Sequence, residues 1–317
     1  MDTQWDAVIV GGGSAGLTAG IVLARAQFTT LVIDGGEARN APAAHMHGYL
    51  SRDGMAPAEL LRTGKAEFTG YGGTLTHATV TGAARRADGS TSLTLAQGRE
   101  LQARAVLVAT GLADELPEVP GLRERWAVDV HHCPHCHGYE VRGTSIAVIG
   151  GPMVEMSVHL AALLRRYSPT VTFCLNGIEL NGTERDRLTA YGVRLVDGEV
   201  HRVVAEHGTL TGIELGHGET VPCDTVFVAP RPRPHDALLT ALGCRKDPLT
   251  GLIAVDERGA TDVPGVWAAG NVVNPRAQVV TAASAGCVAA IAITGWLLEQ
   301  DLAAAGNRSA DIGGARR

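Results

Sequence analysis

Ala7-Val8-Ile9-Val10-Gly11-Gly12-Gly13-Ser14-Ala15-Gly16 passes from four apolar residues straight into a run of glycines. The apolar residues predict a short buried strand, and the Ala- and Leu-rich stretch after the glycines predicts a helix to about Ala26. A second strand, Thr30-Leu31-Val32-Ile33, ends at Asp34. Gly-x-Gly-x-x-Gly inside a β-α-β unit, with an acid about 20 residues further on, is the pattern of a dinucleotide site. The spacing follows from the chemistry. Gly11 permits the tight turn, Gly13 lets the backbone approach a pyrophosphate, and Gly16 lets helix and strand pack closely. The phosphates then meet the free N–H groups of the helix N-terminus, and Asp34 is placed to accept hydrogen bonds from a ribose.

Further along, Ser145-Ile146-Ala147-Val148-Ile149 opens a second β-α-β unit, with a helix expected to about Tyr167 and a strand at Thr170-Val171-Thr172-Phe173. The architecture repeats while the fingerprint decays. Pro152 stands where the pyrophosphate-facing glycine belongs and has no N–H, and Glu155 at the close-packing position repels phosphate. Cys174-Leu175-Asn176-Gly177 after the strand contains neither an acid for a ribose nor an arginine for a 2′-phosphate. Arg165 and Arg166 read as a solvated helix face. Gly265-Val266-Trp267-Ala268-Ala269-Gly270-Asn271 is a third strand ending at a glycine. Ala109-Thr110-Gly111 and Val228-Ala229-Pro230 each end a strand and are read as crossings, with the second unit inserted into the first.

Composition is consistent with this plan. A chain of 317 residues corresponds to about two domains. Gly and Pro together make 54 of 317 residues (40 + 14), below the roughly 25–30% at which low-complexity disorder begins. With 45% hydrophobic but only 4% aromatic residues, the cores must be built from Ala, Val, Leu and Ile. The balance of 27 basic against 33 acidic residues, net −6, without a basic run longer than a pair, argues against nucleic acid as a partner. The acidic start, Met1-Asp2-Thr3-Gln4-Trp5-Asp6, runs into a strand, so no signal peptide is expected. Residues 277–298 carry no charge and are long enough to span a bilayer. Gln278, Thr281, Ser284, Gly286, Thr294 and Gly295 interrupt them, which predicts a buried helix of a soluble, cytoplasmic protein with no membrane partner.

The densest chemistry is His131-His132-Cys133-Pro134-His135-Cys136-His137-Gly138-Tyr139-Glu140. Cys-x-x-Cys-His is the attachment pattern of c-type haem, although that haem is attached after export. A zinc site could use the two Cys with His45 and His47, although no second Cys-x-x-Cys exists. A redox dithiol is the third reading: positive charge and N–H donors lower the pKa of its first thiol, and nearby His residues move protons near neutral pH. Cys174, Cys223, Cys244 and Cys287 read as small core residues, and isolated His45 and His47 as structural.

The order of these motifs over residues 5–298 resembles the low-molecular-weight thioredoxin reductase family. The matching elements are Gly11-x-Gly13-x-x-Gly16, Ala109-Thr110-Gly111, the Cys133/Cys136 pair just before the second Rossmann strand, and Gly270-Asn271 before the last helix. Cys133-Pro134-His135-Cys136-His137-Gly138-Tyr139-Glu140 and Gly151-Pro152 with Ser157-Val158-His159 are similar to one branch of it, the dithiol oxidases that close gliotoxin- and holomycin-type disulfides in antibiotic biosynthesis.

The resemblance implies an α/β protein of two Rossmann-like, FAD/NAD(P)-binding domains, the second inserted into the first. Residues 1–112 and 246–300 would form the FAD domain and 113–245 the NADPH-domain-like unit with a degenerate nicotinamide site, leaving 301–317 as a mobile tail. FAD is the implied cofactor, with Gly11, Gly13, Ser14, Ala15, Gly16, Asp34, Gly35, Arg39, His45, Val80, Thr110, Gly111, Gly270, Asn271, Gln278 and Val279 around it, and no metal. Asn271 replaces the family's flavin-binding Asp, and its amide can still bond a ribityl hydroxyl. Cys133 and Cys136 are the implied catalytic pair, with His137 the first acid/base candidate and His132 the second. The implied reaction takes two electrons from a small dithiol and passes them through FAD to O2, in a homodimer. An NADPH-dependent thioredoxin or disulfide reductase is the alternative, and a non-catalytic redox sensor a more distant one. Loops 39–53 and 230–236 are expected to shape the pocket. In the second of these, Arg231 and Arg233 could meet an acidic substrate group or be solvated.

Overall fold

The computed structural model describes residues 4–314; Met1, Asp2, Thr3 and residues 315–317, which carry parts of the expectations for the N-terminus and the tail, lie outside them. The chain alternates elements as the glycine and apolar patterns predict. First come β1 (Gln4–Val10), α1 (Ser14–Arg25), β2 (Thr30–Asp34), α2 (Pro57–Gly70), β3 (Thr74–His77), β4 (Val80–Arg85), β5 (Thr91–Leu95) and β6 (Glu100–Val108). β7 (Leu112–Glu115) is the first crossing. Then follow β8 (Val130–His131), α3 (Pro134–His137), β9 (Ile146–Ile149), α4 (Val154–Leu164), β10 (Val171–Cys174), α5 (Gly182–Ala190) and β11 (Val193–Val196). β12 (Val200–Glu206), β13 (Thr209–Leu215), β14 (Thr220–Pro222) and β15 (Thr225–Val228) complete that part, and β16 (Arg231–Pro234) crosses back and pairs with β7. α6 (Ala237–Ala241), β17 (Val266–Ala268) and α7 (Val279–Gly314) close the chain.

The chain divides into two compact units. The first comprises the chain up to Ala41, Ala56–Ala113 and the chain from Pro234 onward; the second comprises Pro42–Met55 and Asp114–Arg233. Two differences from the sequence reading stand out. The return to the first unit lies at Pro234 rather than at 245/246, because Leu238, Leu239, Leu242 and Cys244 are buried with Val8, Val10 and Leu93 of the first unit. And Pro42–Met55, read as part of the first domain, belongs with the second.

In the first unit the sheet order is β3-β2-β1-β6-β5-β4, and β17 pairs with the end of β6. β1, β2, β3, β6 and β17 run parallel, while β4 and β5 form an antiparallel edge. Because side chains alternate along a strand, Val8 and Val10 enter one core layer with Leu31 and Val106. Ala7 and Ile9 enter the other with Ala15, Ala19 and Leu23 of α1 and Ala289, Ala290 and Ile293 of α7. α7 is the described helix long and apolar enough to cross a membrane. Ala282, Ala289, Ala290, Ile293 and Leu297 lie in this core, while Val288, Ile291, Leu298 and Leu302 are exposed, so the helix is buried on one side only and not throughout as the 277–298 stretch predicts. It also continues through residues 301–314, where a mobile tail is expected from sequence; Ala303, Ala304 and Ala305 have the highest helix propensity of any residue type.

The second unit has an all-parallel sheet ordered β11-β10-β9-β15-β8. α4 and α5 cover one face through Leu160, Ala161, Leu164 and Leu188. The antiparallel meander β12-β13-β14 covers the other through Val203, Leu210 and Ile213, an element the β-α-β pattern alone does not announce.

Candidate active site

In the first unit the glycine positions converge on the C-terminal ends of the parallel strands, where open α/β sheets bind ligands. Val10 aligns with Val108, and Val108 with Ala268, so the loops after β1, β6 and β17 meet. Gly11 has φ +113°, and a Cβ there would lie 2.3 Å from the Ala109 carbonyl oxygen. At Gly16 a Cβ would come within 1.9 Å of the Gly11 oxygen. A Cβ on Gly13 would meet nothing within 4 Å, and no side chain caps α1. An uncapped helix N-terminus facing open space fits a pyrophosphate.

Asp34 stands beside this cradle: a Cβ on Gly12 would meet its carboxyl carbon at 2.4 Å. Gly36 N–H donates to Asp34 Oδ1 at 3.1 Å, and Lys65 Nζ from α2 lies 2.6 Å from Oδ2. Burial alone would push this carboxyl up, but Lys65 and the N–H groups of Gly36 and Gly12 outweigh it and hold it below the usual range. Lys65 escaped the sequence reading, since it lies far from Asp34 in the chain and nothing marks its helix face. Gly270, at φ +79°, backs onto Ala15, where its Cβ would lie 3.1 Å away.

Other expected cofactor residues have local duties. Asn271 Nδ2 donates to the carbonyls of Asn274 and Ala277, both at 3.0 Å. Its donor therefore ties the loop before α7, and only the amide oxygen is left for a ribityl hydroxyl, a change from the sequence reading. Thr110 donates to the His235 carbonyl at 2.7 Å, and the His235 backbone N–H bonds Gly111. Arg39 donates to the Pro275 carbonyl at 3.1 Å. Gly35 faces open space, Val80 begins β4, and Gln278 and Val279 open α7, the Gln278 carbonyl accepting from Ala282. His45 falls in the second unit, its Nδ1 3.0 Å from the Gly54 carbonyl.

In the second unit Cys133 and Cys136 form a disulfide. The local sequence explains the turn. Pro134 occupies the first helical position, where a missing N–H costs nothing, and the Cys133 carbonyl accepts from the N–H groups of Cys136 and His137 at 3.0 and 3.1 Å. Cys133 is buried and Cys136 half-buried. The two sulfurs are committed to each other.

His131 points into the unit and stacks on His137 with ring centroids 4.2 Å apart, while His132 stacks on Trp126. Nδ1 of both His131 and His137 is buried without a hydrogen-bond partner among the described residues. Burial drives the His131 pKa down to about 4, helped by His137 and His132 and opposed by Asp129. Burial also lowers that of His137; Glu140 and the Cys133 carbonyl raise it, and His47 lowers it further. Both rings are therefore neutral near pH 7, and His137 is available as a base. The sequence reading missed His131; both residues of β8 are buried, so no in–out alternation marked it.

The two glycines of the loop after β9 are hydrogen-bonded within the unit. Gly151 N–H donates to the buried Ser157 Oγ at 3.2 Å, and Gly150 N–H to the Cys174 carbonyl at 2.9 Å. Asn176, where a cofactor-selecting residue would follow β10, gives Nδ2 to the Gly150 carbonyl at 3.0 Å and accepts from Val200 N–H at 2.9 Å. Pro152 and Glu155 are exposed. Arg165, read as solvated, instead donates to the carbonyls of Tyr191 and Ser168. Arg233 is held by both oxygens of Glu115 at 2.7 and 3.1 Å.

Comparison with known proteins places these features in context. Residues 5–286 match the model of the pyridine nucleotide-disulphide oxidoreductase family. The chain is 30% identical over 316 residues to thioredoxin reductase sirT of Leptosphaeria maculans, covering 95% of this chain and 96% of that one. It is 31% identical over 277 residues to thioredoxin reductase tcpT of Claviceps purpurea, covering 84% and 86%. Among solved structures, HlmI superposes with a TM-score of 0.94 at 46% identity, covering 98% of this chain and 97% of that one. Putative thioredoxin reductase TrxB of Bacillus anthracis superposes with a TM-score of 0.89 at 26% identity, covering 94% of this chain and 99% of that one.

Proposed function

The chain belongs to the pyridine nucleotide-disulphide oxidoreductase family, a family dependent on FAD, and from that premise we propose that it is a dithiol oxidase. It closes an intramolecular disulfide in a small natural-product dithiol and passes the electrons to O2. The observation that carries this reading is the loop after β9. Its Gly151 N–H is taken by Ser157, its pyrophosphate-facing position is Pro152, and both ends of the Asn176 amide are bonded internally. With the Gly151 N–H and both ends of the Asn176 amide engaged within the loop and no N–H at Pro152, the site is a poorer match for a nicotinamide dinucleotide, which supports the substrate dithiol as the electron source. The similarity to HlmI over nearly the whole chain supports the same reading. A second reading, an NADPH-dependent thioredoxin or disulfide reductase, draws on the names of sirT and tcpT.

FAD would be held by the N–H groups at Gly13, Ser14, Ala15 and Gly16, by Asp34 at the ribose, and by the start of α7 at Gln278 and Val279. The chemistry it supplies when bound is acceptance of two electrons from the reduced cysteine pair and their delivery to O2 as hydrogen peroxide. The protein's own part is thiol–disulfide exchange. His137 takes the proton of one substrate thiol. The thiolate attacks Cys133 Sγ, the Cys133–Cys136 bond breaks, and Cys136 leaves as a thiolate. The second substrate thiolate then attacks the first substrate sulfur, expelling Cys133 and closing the product disulfide. The substrate has lost two electrons and two protons, and the pair has gained the electrons. His132, stacked on Trp126, is the second proton carrier of this reading.

Anaerobic mixing of FAD-loaded protein with reduced holomycin or reduced gliotoxin tests the reading. The flavin band bleaches with the dithiol and not with NADPH; bleaching by NADPH alone supports the reductase. The reading also makes the working unit a cytoplasmic homodimer. Equilibrium sedimentation should return the mass of two chains, and the mass of one chain at micromolar concentration contradicts it.

A further inference from the structure

Pro42–Met55 leaves the first unit and returns to it, yet it belongs with the unit that carries the cysteine pair. Its own hydrogen bonds make it a closed loop. Met46 is buried, Met46 N–H donates to the Met55 carbonyl at 3.0 Å, and Gly54 N–H donates to the Met46 carbonyl at 2.9 Å. The next residue, His47, lies between two carboxylates: Nδ1 is 3.3 Å from Asp53 Oδ2, and Nε2 is 3.5 Å from Glu140 Oε1. Asp53 is itself fixed by Gly48 N–H at 2.8 Å. Glu140 follows His137 by three residues and is the carboxylate that favours its protonated form.

We propose that His47 is a positioning residue for the dithiol reaction, bridging Asp53 and Glu140 so that Glu140 cannot claim the His137 ring as an imidazolium. This rests on the oxidase reading given above. The two ring nitrogens of His47 face one carboxylate each, so the ring ties Asp53 to Glu140 and opposes the effect of Glu140 on His137. Among the described residues, the groups that act on His137 or stack on it are Glu140 beyond its own helix, His47 from the loop, the neutral His131 from β8 and the Cys133 carbonyl. Among them only Glu140 and His47 act on it as charges, and they act in opposite directions. His137 must be neutral to accept a thiol proton, so the rate falls as pH drops through its pKa, and whatever raises that pKa moves the acid limb to higher pH.

The test is the ring titration of His137 by NMR in FAD-loaded protein, alongside the pH profile of anaerobic flavin reduction by reduced holomycin. H47Q should raise the titration by about one pH unit, the size of one nearby charge, and carry the acid limb with it. E140Q, at an exposed side chain, should move both down. Shifts of opposite sign are an outcome that a merely structural loop contact does not produce. Titrations left in place by both variants, or moved the same way, overturn the proposal. Should reduced holomycin fail to bleach the wild-type flavin at any pH, the oxidase reading falls, while the ring titrations still decide whether His47 governs His137.

Discussion

Cys133→Ser or Cys136→Ser should leave a yellow, FAD-bound protein whose dithiol oxidation has dropped by about a thousandfold or more, to the level left by binding alone. The disulfide is the electrophile of the proposed reaction; without it a substrate thiolate has no sulfur to attack and no leaving thiolate to expel. Serine is close to isosteric with cysteine, and the backbone bonds from Cys136 and His137 to the Cys133 carbonyl do not involve sulfur, so the turn should persist. The cofactor cradle around Gly11, Gly13 and Gly16 lies in the other unit, so FAD content should be unchanged. Flavin absorbance per protein and steady-state peroxide release check both halves. A mutant that keeps full oxidase activity removes the cysteine pair from the mechanism.

The second large effect is at Gly286→Ala. α7 crosses α1 so closely that a Cβ there would lie 2.0 Å from the Ala15 carbonyl oxygen and 2.7 Å from its carbon. Both atoms are backbone in the first turn of α1, so relief requires moving the turn that cradles the pyrophosphate. Overpacking of this kind costs about 1–3 kcal/mol and sometimes more, and the displaced turn should release FAD, giving colourless protein. Gly295→Ala on the same helix is the control. Nothing lies within 4 Å of a Cβ there, and Ala exceeds Gly by about 1 kcal/mol in a helix interior, so that variant should be as stable as the wild type or more so. Thermal unfolding and bound-flavin absorbance distinguish the two; a yellow, fully stable G286A would contradict the packing.

These effects also mark what can be read from the chain before its fold is known. The two β-α-β units were legible because short apolar runs, glycines and Ala-rich stretches encode strand, turn and helix locally. The roles of Gly11 and Gly16 followed from the same spacing. Gly286 was visible only as a polar interruption in an apolar run, since its importance comes from a contact with Ala15 across the whole sequence. Lys65 and His47 were illegible as partners of Asp34 and Glu140 for the same reason: an ion pair leaves no periodic trace. The meander β12-β13-β14 was missed because it fills a sheet face where a repeating β-α-β pattern predicts helices. Pro152 was informative early, and the structure adds the bonds within its loop, through Ser157 and Asn176.

On the proposed reading, this protein draws its electrons from a dithiol through Cys133 and Cys136. Stopped-flow mixing of FAD-loaded protein, without oxygen, against reduced holomycin in one syringe and NADPH in another tests it most directly. Rapid loss of the flavin band is expected with the dithiol, none on the same timescale with NADPH, and return of the band with hydrogen peroxide once oxygen is admitted. Prompt bleaching by micromolar NADPH, with the dithiol inert, would contradict it.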